Sequence, residues 1–94
     1  MVLEVAIIDV TPGSEEALVA AYAEAKHLPA VTPGCGPMRM TRGVETPTRF
    51  VLLIEWDSVE AHDVFRNGEG FAAWRALISP HFAGPPRVEH FTDL

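Results

Sequence analysis

From Val2 to Val10 the chain is almost entirely aliphatic and largely β-branched, broken only by Glu4 and Asp9, a run that suits a strand better than a helix. Thr11-Pro12-Gly13-Ser14 ends it. The spacing then changes. Leu18, Ala21, Tyr22, Ala25 and Leu28 fall at i, i+3, i+4, i+7 and i+10, which puts them on one face of a helix. Thr11 is the expected N-cap, with Pro12 in the first helical position. Glu15 and Glu16 suit the positive end of the helix dipole, Lys26 and His27 the negative end, and Pro29 closes the helix or sits just past it.

Val31 to Pro37 carries two prolines and two glycines, which deny it regular hydrogen bonding and turn the chain back. Met38 to Gly43 reads as a weak strand, Glu45 to Thr48 as a turn, and Arg49 to Trp56 as a strong strand centred on Phe50-Val51-Leu52-Leu53-Ile54. A short link between them predicts an antiparallel hairpin. Asp57 is the expected cap of the next helix, with Glu60 in capping-box position. That helix is short, running through Phe65. Asn67-Gly68-Glu69-Gly70 interrupts it, and Phe71, Trp74, Leu77 and Ile78 resume the helical period until Pro80. Arg87 to Phe91 is a last short strand.

The order β-α-β-β-α(α)-β is the ferredoxin-like α+β arrangement, with helices on one face of a four-stranded antiparallel sheet. Alternation along the strands then creates a problem. Leu3, Val5 and Ile7 point to one face and Ala6, Ile8 and Val10 to the other, and Val51 and Leu53 oppose Phe50, Leu52 and Ile54. The helices can cover only one of these two apolar faces. Five such side chains left in water expose roughly 500 Å² at ~100 Å² each, as much as a soluble monomer normally tolerates. Burial against a second copy is worth on the order of 10 kcal/mol per chain before ordering costs. A homodimer formed sheet against sheet is expected.

Ninety-four residues suffice for a single domain spanning 1–94, and 48% apolar residues supply its core. A net charge of −6 has the wrong sign for gripping nucleic acid or an anionic membrane surface. The single cysteine, Cys35, cannot form an internal disulfide. No signal peptide or membrane span is legible at the sequence level, so the cytoplasm is the expected location.

Several residues carry a family likeness: Val10-Thr11-Pro12-Gly13, Pro33-Gly34-Cys35, Glu55-Trp56-Asp57-Ser58 with Ala61-His62, and the spaced Phe71, Trp74 and Pro80. With this element order, the chain resembles the antibiotic biosynthesis monooxygenase family of dimeric α+β barrels. The resemblance implies a dimer and a spread of activities that includes cofactor-independent oxygenases of polycyclic phenols, quinol oxidases and haem-degrading enzymes. The haem-degrading branch uses an asparagine, a tryptophan and a histidine where this chain has Ile7 or Ile8, Phe65 and Arg75. Haem turnover by that route is therefore not expected.

Four histidines are candidates for moving protons near neutral pH. His27 is explained by its helix end. His62 reads either as a solvent-facing helix residue or as a base or donor at a pocket mouth. His81 and His90 read either as surface or interface hydrogen-bonding residues or as groups near the cleft between sheet and helices. No close His or Cys spacing supports a metal site. Trp74, Phe71 and Phe65, with Trp56 and Phe82, supply either core packing or flat surfaces on which an aromatic ligand stacks, and Met38 and Met40 can line the same cavity. Arg39, Arg42 and Arg75 suit surface ion pairs or an anionic substrate group. Cys35 has no adjacent basic residue to activate its thiol.

The leading expectation is a homodimer with an apolar pocket in each subunit that takes a small hydrophobic or aromatic ligand. It oxygenates an aromatic or quinol-like compound without a cofactor, using His62 or His81 for the proton and Trp74, Phe71, Phe65 and Met38 for binding. An electron-rich phenol, once deprotonated, can itself give an electron to oxygen, so the protein need only bind, desolvate and remove a proton. The alternatives are a non-catalytic dimeric binding module for a hydrophobic metabolite and a proton-transfer isomerase.

Overall fold

The computed structural model describes residues 1–94. Strands β1 (Val2–Asp9), β2 (Cys35–Arg42), β3 (Arg49–Trp56) and β4 (Arg87–Phe91) form one antiparallel sheet in the order β2-β3-β1-β4. Helices α1 (Glu15–Ala25), α2 (His27–Ala30), α3 (Val59–Arg66) and α4 (Glu69–Ile78), with a 3-10 turn at Ser79–His81, cross over it. This is the ferredoxin-like α+β arrangement. The largely apolar β1 and β3 take the two central positions, and the polar, proline-bearing β2 and the short β4 take the edges, where a missing N–H is tolerated.

The helix-facing side of the sheet is buried: Ala6, Ile8 and Val10 from β1 and its end, and Phe50, Leu52, Ile54 and Trp56 from β3. Leu18, Ala21 and Ala25 on α1, and Trp74 and Ile78 on α4, close over them. On the opposite side Leu3, Val5, Ile7, Val51 and Leu53 are only half-buried, screened by their sheet neighbours and by no other layer.

Three boundaries differ from the sequence expectation. Thr11 does not cap α1. Its carbonyl accepts the Ser14 N–H at 2.9 Å, with Gly13 at φ +95°, so Pro12-Gly13 forms a type II turn, for which proline followed by glycine is better suited than for a helix start. Ser14 precedes the helix instead. The same chemistry recurs at Pro33-Gly34, where Cys35 N–H meets the Thr32 carbonyl at 3.0 Å and Gly34 sits at φ +87°. β2 therefore starts at Cys35, ahead of the expected Met38, with its irregularity confined between those two residues. Asp57 does not cap α3 either. Its N–H is already held by the Gly34 carbonyl at 2.8 Å, and Ser58 Oγ accepts the Ala61 N–H at 3.1 Å. Pro29 lies within α2, in the first turn, where its missing N–H has no helical acceptor to lose.

Candidate functional site

A cavity of about 520 Å³ opens between the helix-facing side of the sheet and α3, α4 and the segment after them. Its floor is Ala6, Ile8 and Leu52, and its aromatic wall is Phe71 and Trp74 from α4. Val88 and the 82–86 segment form the side next to β4. Two of the cavity's polar side chains are buried, Glu4 at 5% and His62 at 3% exposed, while the exposed Arg66 and Arg75 and half-buried Ser79 also line it.

Glu4 occupies a strand position whose parity belongs to the core, opposite Ile54 on one side and His90 on the other. Its Oε1 accepts the Trp56 indole N–H at 2.9 Å and lies 3.3 Å from His62 Nε2. Its Oε2 has no protein partner. Since no buried polar side-chain atom in the chain is left without one, that oxygen must open on the cavity Glu4 lines. Burial raises the Glu4 carboxyl above its ordinary range, a shift the Trp56 N–H partly offsets.

His62 arrives by local geometry. The Ser58 cap fixes the first turn of α3, and one turn later the His62 ring stacks on Trp56 with centroids 4.9 Å apart and planes at 14°. Its Nδ1 lies 2.7 Å from Nε2 of His90. Burial, followed by the charges of Arg66 and His90, pushes His62 down to about 4, so the ring is neutral near pH 7. A carboxylate with raised proton affinity beside a neutral imidazole is an arrangement that can accept and return a proton. Glu4, His62 and His90 run in line, with His62 between the others, and no group of three His, Cys, Asp or Glu side chains converges to hold a metal ion.

The candidates from the sequence separate clearly. His62, Trp74 and Phe71 line the cavity, and His62 is buried where a solvent-facing helix position was one of its two readings. Phe65 is buried behind the wall, edge-on to Phe71 at 5.6 Å between centroids. Met38 packs against the core from edge strand β2 and lies outside the cavity walls. His81 is outside them as well; its backbone carbonyl accepts the Thr11 N–H at 3.0 Å. His27 is accounted for by its helix end, with Nδ1 2.9 Å from the Glu24 carbonyl. Arg42 pairs with Glu16 at 3.1 Å, and Arg66 with Asp63. Arg75 lines the cavity without a carboxylate partner. Burial pushes the Cys35 thiol up, away from reactivity.

Glu4 was not among the residues singled out for chemistry, and His90 was not linked to it. The signal was present for Glu4: its parity places it with Ala6, Ile8 and Val10, where a carboxylate is costly unless used or paired. Nothing in the sequence pairs His90 with His62, because that contact needs the β1–β4 register.

Comparison with known proteins agrees with the architecture. The sequence profile of the antibiotic biosynthesis monooxygenase family matches residues 1–77. Over their full lengths, the chain is 28% identical across 95 residues to the uncharacterized protein YczJ of Bacillus subtilis (strain 168). A candidate antibiotic biosynthesis monooxygenase from Bordetella bronchiseptica superposes with a TM-score of 0.95 at 36% identity, covering 99% of this chain and 96% of that one. SnoaB, a cofactor-independent oxygenase from Streptomyces nogalater, shares the fold with a TM-score of 0.84 at 17% identity, covering 98% and 91%. The profile match over most of the chain, together with 36% identity to the Bordetella protein across nearly all of it, shows that this protein belongs to the antibiotic biosynthesis monooxygenase family.

Proposed function

We propose that this protein is a cofactor-independent monooxygenase that oxidises an electron-rich aromatic or quinol-like molecule held in the cavity between sheet and helices. The observation that carries the reading is the cavity-facing Glu4 carboxylate beside neutral His62, set against an apolar floor and an aromatic wall. Phe71 and Trp74 offer stacking surfaces, and the apolar floor strips water from the substrate. The Glu4–His62 pair removes the proton. The resulting carbanion or phenolate supplies the electrons: the ring carbon that is a methylene in the keto tautomer of the phenol reacts with dioxygen, one oxygen stays there as a carbonyl and the other leaves as water with the two hydrogens of that tautomer's methylene. The similarity in fold to SnoaB supports this reading.

Oxygen uptake with a panel of naphthols, anthrones and quinols tests it. Wild type is expected to consume oxygen, Glu4→Gln and His62→Ala to lose most of the rate, and His81→Ala to keep it. Binding without uptake by any of these compounds would favour the binding module. Solvent-proton exchange without uptake would favour the isomerase.

We also propose that the exposed sheet face is covered by a second copy. Leu3, Val5, Ile7, Val51 and Leu53 form a continuous apolar surface, and a shallow depression of about 250 Å³ bounded by Leu3, Leu53 and Phe91 marks one end of it.

A further inference from the structure

The row Glu4–His62–His90 behind the cavity has an outer end, a hydrogen bond between the two imidazoles, that the proposed chemistry does not use. His90, half-buried on edge strand β4, stands opposite Glu4 in the sheet register, and its Nε2 lies 2.7 Å from His62 Nδ1. Two imidazole nitrogens at that separation must be one donor and one acceptor. The direction follows from the other side of the His62 ring, where Nε2 lies 3.3 Å from Glu4 Oε1. A proton on Nδ1 would leave a bare, electron-rich Nε2 beside a carboxylate oxygen, a repulsive approach between two buried side chains. A proton on Nε2 sits between imidazole and carboxylate, and this arrangement requires His90 to be the donor.

We propose that His90 is a positioning residue: by donating its Nε2–H to Nδ1 of His62 it holds that ring in the Nε2–H tautomer, which stands an N–H dipole beside Glu4 Oε1 and leaves Oε2 as the atom that takes the substrate's proton. The hydrogen on the far side of a histidine commonly sets which nitrogen of the ring is free. The charged and titratable groups around His62 are Glu4 from β1, Asp63 and Arg66 from α3, and His90 from β4. Arg66 and His90 both disfavour an imidazolium there, so the quantity His90 controls is the tautomer of a neutral ring. Through it, His90 tunes the proton affinity of Glu4.

This inference rests on Glu4 being the base, but its test does not need turnover. Long-range proton–nitrogen NMR of the ligand-free protein near neutral pH reads each imidazole nitrogen directly. Wild type is expected to show His62 protonated on Nε2 and bare on Nδ1. In His90→Phe the Nδ1 signal should move toward the protonated position, and the Glu4 carboxyl midpoint, read by carbon NMR, should move up because the N–H dipole beside the carboxylate is lost. His90→Gln, whose amide can donate at the same edge, should restore both. A wild-type His62 carrying its proton on Nδ1, or a His90→Phe protein with tautomer and Glu4 midpoint unchanged, would overturn the proposal. Should His90→Phe not fold, the wild-type spectrum decides alone. The expected spectrum in a protein that oxidises none of the phenols would retire the oxygenase reading and leave the role of His90 standing.

Discussion

A carboxylate on the helix-facing side of β1 is costly to bury, and the surroundings of Glu4 offset that cost in part. Trp56 donates to one oxygen, His62 stands beside it, and the second oxygen meets the cavity. Burial moves the two partners in opposite directions, Glu4 up and His62 down, and stability should follow pH accordingly. His62 titrates near 4 in the fold against 6.5 for a free imidazole. The unfolded chain therefore binds the extra proton between those values, and the His62 contribution, present above pH 6.5, is lost as pH falls toward 4. The loss should be about 2 kcal/mol after discounting for screening on the open side of the ring. Glu4 acts oppositely, contributing below its ordinary 4.5 and losing that contribution as pH rises through its raised value. Urea unfolding between pH 6.5 and 4.5 should show a steeper acid-side loss in wild type than in His62→Gln. Parallel curves would contradict the burial of a neutral imidazole.

At the scale of elements, two Pro-Gly turns do more than end what precedes them. The turn at Pro33-Gly34 places the Gly34 carbonyl on the Asp57 N–H, which ties the start of β2 to the entry of α3 and so to the position of His62 one turn further on. A Cβ on Gly34 would come within 2.8 Å of the Ala61 Cβ, at a backbone φ of +87° that side chains rarely adopt. Gly34→Ala should destabilise the protein by about 1–3 kcal/mol, through strain and the collision with α3. The check is its denaturation midpoint together with the His62 NMR signals, which should shift because α3 must move. A midpoint equal to that of wild type would show that the turn does not set the helix. The strands were legible in sequence because their apolar runs are long and rich in β-branched residues. The helix starts were not, because Thr11 and Asp57 have good capping chemistry, yet Thr11 is taken into the Pro12-Gly13 turn and Asp57 yields the cap to its neighbour Ser58. Phe71 and Trp74 were legible as an aromatic pair by their spacing. Whether Phe65 and Met38 faced the same space was not, since that depends on how α3 and α4 pack and on which edge β2 occupies.

For the whole molecule, the decisive feature is a sheet with two apolar faces and one layer of helices. Leu53, central in β3 on the uncovered face and paired with Val5, is the point at which a charge would do most harm to an interface and least to the monomer core. Leu53→Glu should sediment as a monomer at micromolar concentration where wild type sediments as a dimer. A wild-type protein that is itself monomeric would contradict sheet-against-sheet pairing. The cavity lies on the other face, bounded by sheet, α3, α4 and the segment leading to β4, so its lining is assembled only in the complete fold. The element order and the family resemblance could foresee a pocket there, but not that a strand glutamate would share its inner wall with a helix histidine. The most direct measurement is the absorption spectrum of a naphthol bound under argon, where no oxygen chemistry can follow. The wild-type protein should bring up the naphtholate band near neutral pH, and Glu4→Gln should bind the same compound in its neutral form. A naphthol that binds wild type without ionising, or ionises equally in Glu4→Gln, would contradict a cavity built around a proton-accepting glutamate.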